Sequence, residues 1–158
     1  MSTQITPHFT KEDCERSSYA IAHNLENKIP DKLMPNITRL CEFMEEIRSL
    51  VCGHYGQDVK ILPSSIYRGK VLNLAIKGQP TSQHCRGEAM DFHTSVGELD
   101  DVFELIEESD LEYDQLINES DVEGHHWIHA SIPDEGKKAR RDVLKGEKGN
   151  HLTRISQG

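Results

Sequence analysis

The sequence predicts an α+β fold, with N-terminal helices packed on a small, mostly antiparallel sheet. Three observations lead there. Apolar residues recur at helical spacing in the first third of the chain, at Ile37, Leu40, Cys41, Met44, Ile47 and Val51. After Glu88 the pattern changes to short strand-like runs around one amphipathic helix. The 158 residues show no repeat, linker or low-complexity stretch, so one domain covering 1–158 is expected, with a core over about 8–145 and a basic C-terminal tail. Helices followed by strands, rather than the two in alternation, indicate α+β.

The elements follow in order. Thr10 can cap a first helix, with Glu12 and Asp13 near its positive end and Phe9 stapling its start. Tyr19, Ala22 and His23 continue that helix, which fades before Pro30. Pro35 starts the second helix. Val59 to Leu62 reads as a strand, and Val71 to Ile76 as a short helix leading into a Gly78-Gln79-Pro80 turn. Glu88 to His93 is a strand. Leu99 to Glu108 is a helix with Val102, Phe103, Leu105 and Ile106 inward. Gln115 to Asn118, Trp127 to Ile132 and Arg140 to Leu144 complete the sheet.

Composition narrows the function. A net charge of −9 argues against general affinity for nucleic acid or anionic membrane. Glu98 to Gly136 holds no Lys or Arg, whereas Lys137 to Arg154 is mostly basic and reads as a solvated final strand and tail. Cys14, Cys41, Cys52 and Cys85 show no CxxC spacing and suit a reducing compartment. The first three read as small buried hydrophobes and Cys85 as a spacer. The start, Met-Ser-Thr-Gln-Ile-Thr-Pro, lacks a basic region and an apolar run, so synthesis in the cytoplasm without a signal peptide is expected. No stretch approaches a membrane span.

Chemistry concentrates in two segments, Ser82-Gln-His84-Cys-Arg-Gly87-Glu-Ala89-Met-Asp91 and His126-Trp-Ile-His129. Together they offer a histidine, a carboxylate seven residues on, and a second imidazole from a distant stretch. Two imidazoles and one carboxylate make a three-ligand zinc site with a fourth position left for water, the pattern of a catalytic site. Gly87 lets the backbone bend and approach closely. If the chain is extended from Glu88, then Ala89, Asp91 and His93 share one face while Met90 and Phe92 enter the core. A lone histidine would read as a solvated loop residue, and His8, His23, His54 and His151 are read so.

Ser-x-His-x-x-Gly-x-Ala-x-Asp followed by Trp-Ile-His resembles the zinc D-alanyl-D-alanine carboxypeptidases of peptidase family M15, in particular small phage-type members with the hedgehog/DD-peptidase fold. Tyr67-Arg68 with Leu72-Asn73, Gly78, Tyr113-Asp-Gln-Leu-Ile117 with Glu119, and Phe9-Thr10 support the resemblance over about residues 8 to 145. Ile66 departs from the glycine usual before Tyr-Arg, and His93 and His125 are extra histidines. The resemblance implies one catalytic zinc on His84, Asp91 and His129, with His126 as general acid/base. Strict strand alternation instead groups His125 with Trp127 and His129, so His126 reaches the site only if the chain bends at Gly124 to His126. His125, Glu119 and Glu123 are the reserves. Arg68 would stabilise an oxyanion or anchor a substrate carboxylate. Ser82 and Gln83 would bind substrate or fix His84.

The resemblance therefore implies a zinc peptidase acting on peptidoglycan stem peptides at a bond involving a D-amino acid, of phage endolysin type. The alternatives are a carboxypeptidase trimming terminal D-alanine and, in another class, a non-catalytic zinc-containing binding module. A monomer is expected, with no nucleic acid partner and no membrane insertion. Access to the wall would come through holin release or delivery in a virion.

Overall fold

The chain opens with a hairpin the sequence did not announce. In the computed structural model, which describes residues 2–147 and 151–157, β1 (Gln4–Thr6) pairs antiparallel with β2 (Phe9–Thr10). Thr10 then caps α1 (Lys11–Glu15). Its Oγ1 accepts from the Asp13 amide at 3.1 Å, and the Asp13 carboxylate accepts from the Thr10 amide at 3.0 Å. The single helix expected up to Pro30 is two short ones. Arg16 turns extended, and Ser17 starts α2 (Ser18–Ala22) by accepting from the Ala20 amide at 3.1 Å. A serine that offers its own cap competes with continuation of the helix before it.

The long helix α3 (Met34–Tyr55) carries Pro35 in its first turn and ends at Gly56, whose φ of 63° is the left-handed C-cap conformation. Ile37, Leu40, Cys41, Phe43, Met44, Ile47 and Val51 line its buried face, as the spacing predicts with the addition of Phe43. After it come β3 (Ile61–Ser65), α4 (Lys70–Ala75), β4 (Ala89–Thr94), α5 (Leu99–Glu107), β5 (Gln115–Ser120), β6 (His126–Ser131), β7 (Asp142–Glu147) and β8 (His151–Gln157). β3 starts two residues later than expected because Val59 is spent elsewhere: its amide donates to Cys52 Sγ at 3.2 Å.

The large sheet has the order β3-β4-β6-β5-β7-β8. Every pairing in it is antiparallel except β5 with β7, so the fold is α+β with a mostly antiparallel sheet. β8 was not expected. It falls in the segment that reads as a tail, yet its backbone pairs with β7 along the sheet edge.

Register decides what each face does. Met90, Phe92, Leu116, Ile128, Ala130 and Val143 point to one side and join the helical residues of α3 and α5 in one core. Asp91, His129 and Ile117 are mutually paired, as are Trp127 and Glu119, and these point to the other side. One face builds the core and the other is left for chemistry. Among the described residues no helix is long and apolar enough to cross a membrane.

Candidate metal centre and its cleft

Three segments converge on the second face. A short 3-10 turn, Gln83–Arg86, carries His84 immediately before β4. β4 contributes Asp91, and β6 contributes His129 directly opposite it. One nitrogen of each imidazole and one carboxylate oxygen all lie within 4.8 Å of one another. His129 Nδ1 is 2.9 Å and His84 Nε2 3.3 Å from Asp91 Oδ1. The structure thus brings together His84, Asp91 and His129, and these residues could hold a divalent metal.

The turn that presents His84 is locally determined. Ser82 Oγ accepts from the His84 amide at 3.2 Å. Gly87 ends the turn at φ 73°, a conformation costly for other residues, and a Cβ there would lie 2.9 Å from Ile37 Cδ1 on α3. Gly87→Ala is therefore expected to destabilise the protein by about 1–2 kcal/mol. A smaller loss in denaturant unfolding would mean that the turn relaxes freely.

The orientation of His84 is fixed from behind. Its Nδ1 donates to the Ile66 carbonyl at 2.6 Å, which leaves Nε2 as the lone-pair nitrogen. That Nε2 is fully buried and has no hydrogen-bond partner, an arrangement that costs free energy unless a metal accepts the lone pair. Because the contact uses the backbone of residue 66, isoleucine serves there in place of glycine.

Burial pushes the His84 pKa down, against the pull of Asp91, so the ring stays neutral as a ligand must. Burial alone would raise the Asp91 carboxyl, but the two imidazoles beside it hold it far below the usual carboxylate range. At His129 burial works downward, yet the Asp91 hydrogen bond and charge, with Glu119 behind them, raise the ring above its ordinary value. A proton on His129 and a metal ion compete for the same nitrogen.

The cluster sits in an open cleft of about 1080 Å³ whose lining also includes Val122 and Lys138. Arg68 lines it beside His84. Its amide donates to the His84 carbonyl at 3.1 Å, and its Nη2 to Ser82 Oγ at 3.2 Å. Arg68 Nε is buried without a partner, and among the described residues no carboxylate lies within ion-pair distance of this guanidinium.

Of the two roles open to Gln83, the geometry favours the structural one. Its Nε2 donates to Asp114 Oδ2 and to the Ile132 carbonyl, both at 3.1 Å, which ties the His84 turn to the sheet. Asp114 is itself clasped by Arg140, with Nη2 at 2.7 Å and Nε at 3.1 Å. Burial would raise the Asp114 carboxyl, but Arg140 and Gln83 hold it low.

A depressed carboxyl contributes stability above its unfolded pKa of about 3.9, and the contribution disappears as pH falls through the lower folded value. Asp114→Asn is expected to cost about 1–2 kcal/mol at neutral pH, with half-exposed Arg140 discounted for screening. Thermal unfolding against pH should show the gap closing in acid. A gap independent of pH would contradict the assignment.

His126 is the point of disagreement with the resemblance. No bend releases it from alternation. Its ring lies on the core-side face, where Nε2 meets the Asn118 amide oxygen and lies 3.6 Å from Asp100 at the start of α5. His126 does not line the cleft. His125 and Glu123 belong to the exposed β5–β6 turn, where His125 Nδ1 lies 2.8 Å from Asp121. His93 shares the face of Asp91 but is exposed.

Of the four acid/base candidates, the one that lines the cleft is Glu119, half-buried and opposite Trp127. Burial raises its carboxyl pKa. The Asp91 charge adds to that rise, while His129, the Trp127 indole and Arg68 oppose it. The Trp127 partnership was missed in the sequence. Pairing β5 with β6 through the His129 register would have revealed it.

A family model described as Peptidase M15 matches residues 7–130, a span that includes every residue of the cluster and stops before β7. No curated protein and no solved structure matches the chain.

Proposed function

Because the chain belongs to the peptidase M15 family, we propose that it is a zinc-dependent peptidase of peptidoglycan stem peptides, cutting at a bond that involves a D-amino acid. The observation that carries this reading is the His84–Asp91–His129 cluster in the floor of an open cleft. The donor set fits zinc: two imidazole nitrogens, one of them an orphaned buried lone pair, and one carboxylate. Zinc held there supplies Lewis acidity, which polarises a peptide carbonyl and brings the pKa of water near 7.

The chain's own residues do the rest. Glu119 takes the proton from the attacking water and passes it to the leaving amine, a task suited to a carboxyl raised by burial. Trp127 stands directly opposite Glu119 on the paired strand and walls it on that side. Arg68 presents an unpaired guanidinium to the developing oxyanion or to a substrate carboxylate. Ser82 holds both Arg68 and the His84 turn. His126, on the far face, takes no part.

The cleft is open and about 1080 Å³ in volume, room that suits a stem peptide and supports an endopeptidase of phage endolysin type on a single hedgehog/DD-peptidase-like domain. It would act as a monomer once a holin or a virion brings it to the wall. Trimming of terminal D-alanine is the second reading, and the unpaired Arg68 favours it because a terminal carboxylate would satisfy that cation. Mass spectrometry of digested, purified peptidoglycan separates them. New stem-peptide fragments mean an endopeptidase, and loss of one alanine a carboxypeptidase. No product from several wall types would leave a binding module.

A further inference from the structure

Arg68 is held through the peptide groups on both sides of it, and one side chain from the N-terminal segment holds both. Asn27 is only 8% exposed. Its Nδ2 donates to the Tyr67 carbonyl at 3.0 Å and to the Glu15 carbonyl at 2.8 Å. Its Oδ1 accepts from the Gly69 amide at 2.8 Å. The carbonyl before Arg68 and the amide after it therefore end on one carboxamide.

The neighbouring bonds complete the frame. The Tyr67 amide donates to the Cys14 carbonyl at 3.0 Å, and the Arg68 amide to the His84 carbonyl at 3.1 Å. The guanidinium leaves a backbone fixed at the Tyr67 amide and carbonyl, at its own amide and at the Gly69 amide, with Nη2 on Ser82. Two donors and an acceptor are needed at position 27 at once. A carboxamide supplies them, whereas a carboxylate lacks the donors and an aliphatic side chain lacks both.

We propose that Asn27 is the positioning residue for Arg68: it sets where the guanidinium enters the cleft and touches neither substrate nor metal. The inference rests on the reading of Arg68 as a group that contacts the substrate. If Asn27 acts on the reaction through Arg68 alone, its loss changes nothing once Arg68 is gone. A residue that only stabilises the fold has no such dependence.

The test is a double-mutant cycle in the full-length, zinc-loaded protein, with steady-state kinetics on solubilised peptidoglycan fragments. Arg68→Ala is expected to lower kcat/KM about 10²- to 10³-fold. Asn27→Ala should lower it about 10- to 100-fold, through whichever of kcat and KM Arg68→Ala affects. In the Arg68→Ala background, Asn27→Ala should change kcat/KM by less than about twofold. Additive losses, or an Asn27→Ala protein as active as wild type, overturn the inference and leave the role of Arg68 standing. An Arg68→Ala protein of wild-type activity overturns the reading of Arg68 and the inference with it. Thermal midpoint and zinc content are measured for each variant. If Asn27→Ala does not stay folded at the assay temperature, the cycle is run with Asn27→Asp, which keeps the acceptor for Gly69 and removes the two donors.

Discussion

Glu119→Gln should lower kcat by about 10²- to 10⁴-fold, the range expected when a general acid/base is removed, while zinc content stays unchanged. The amide preserves the shape beside Trp127 but neither accepts nor delivers the proton. The pH profile gives an independent reading. Burial and Asp91 raise the Glu119 pKa above its ordinary value, so the acidic limb of kcat/KM should rise through that higher value as the carboxyl ionises. The limb should vanish in Glu119→Gln. His126→Ala is the matched control, because its ring faces Asn118 and Asp100 across the sheet. Activity within a few-fold of wild type is expected there. The reverse pattern, with Glu119→Gln active and His126→Ala inactive, would show that the β5–β6 end rearranges when substrate binds.

The second large effect lies at the cluster. Asp91→Asn should abolish measurable zinc binding and activity together. The carboxylate is the only anion among the three ligands, and it contacts both imidazoles, at 2.9 Å and 3.3 Å. His84→Ala should do the same by removing the orphaned nitrogen. Metal analysis after gel filtration, set beside peptidoglycan digestion, reads both quantities. Retained zinc with full activity in either variant would place the metal elsewhere. In the wild type, affinity for zinc should fall as pH drops through the raised His129 pKa, because the proton competes for the ligand nitrogen.

Much of this arrangement was legible in the sequence. The run from Ile37 to Val51 gave the long helix because a 3.6-residue period has one interpretation at that length. Gly87 reads as a bend and Glu88 to His93 as a strand, and the structure has a turn ending at Gly87 followed by β4, since a glycine bend and a period of two follow from local geometry. What failed was non-local. The first helix broke at Ser17 because a local cap outweighed continuation. β8 gained its place from pairing with β7, which its polar residues do not advertise.

His126 shows the same limit within the site. Alternation along β6 read correctly, but a bend was allowed for that the backbone does not make. Whether Glu119 faced the ligands depended on the register between β5 and β6, and one strand alone does not carry that information. The hold of Asn27 on residues 67 and 69 was invisible for the same reason, since it joins segments about 40 positions apart.

If one metal at His84, Asp91 and His129 makes this chain a peptidase, a zinc titration of the chelated, metal-free protein will show it, with release of peptidoglycan fragments followed at each step. No release is expected without metal, and release should rise until it levels off at one zinc per chain. Release that persists after chelation, or none at any zinc concentration, would contradict a single catalytic metal at these residues.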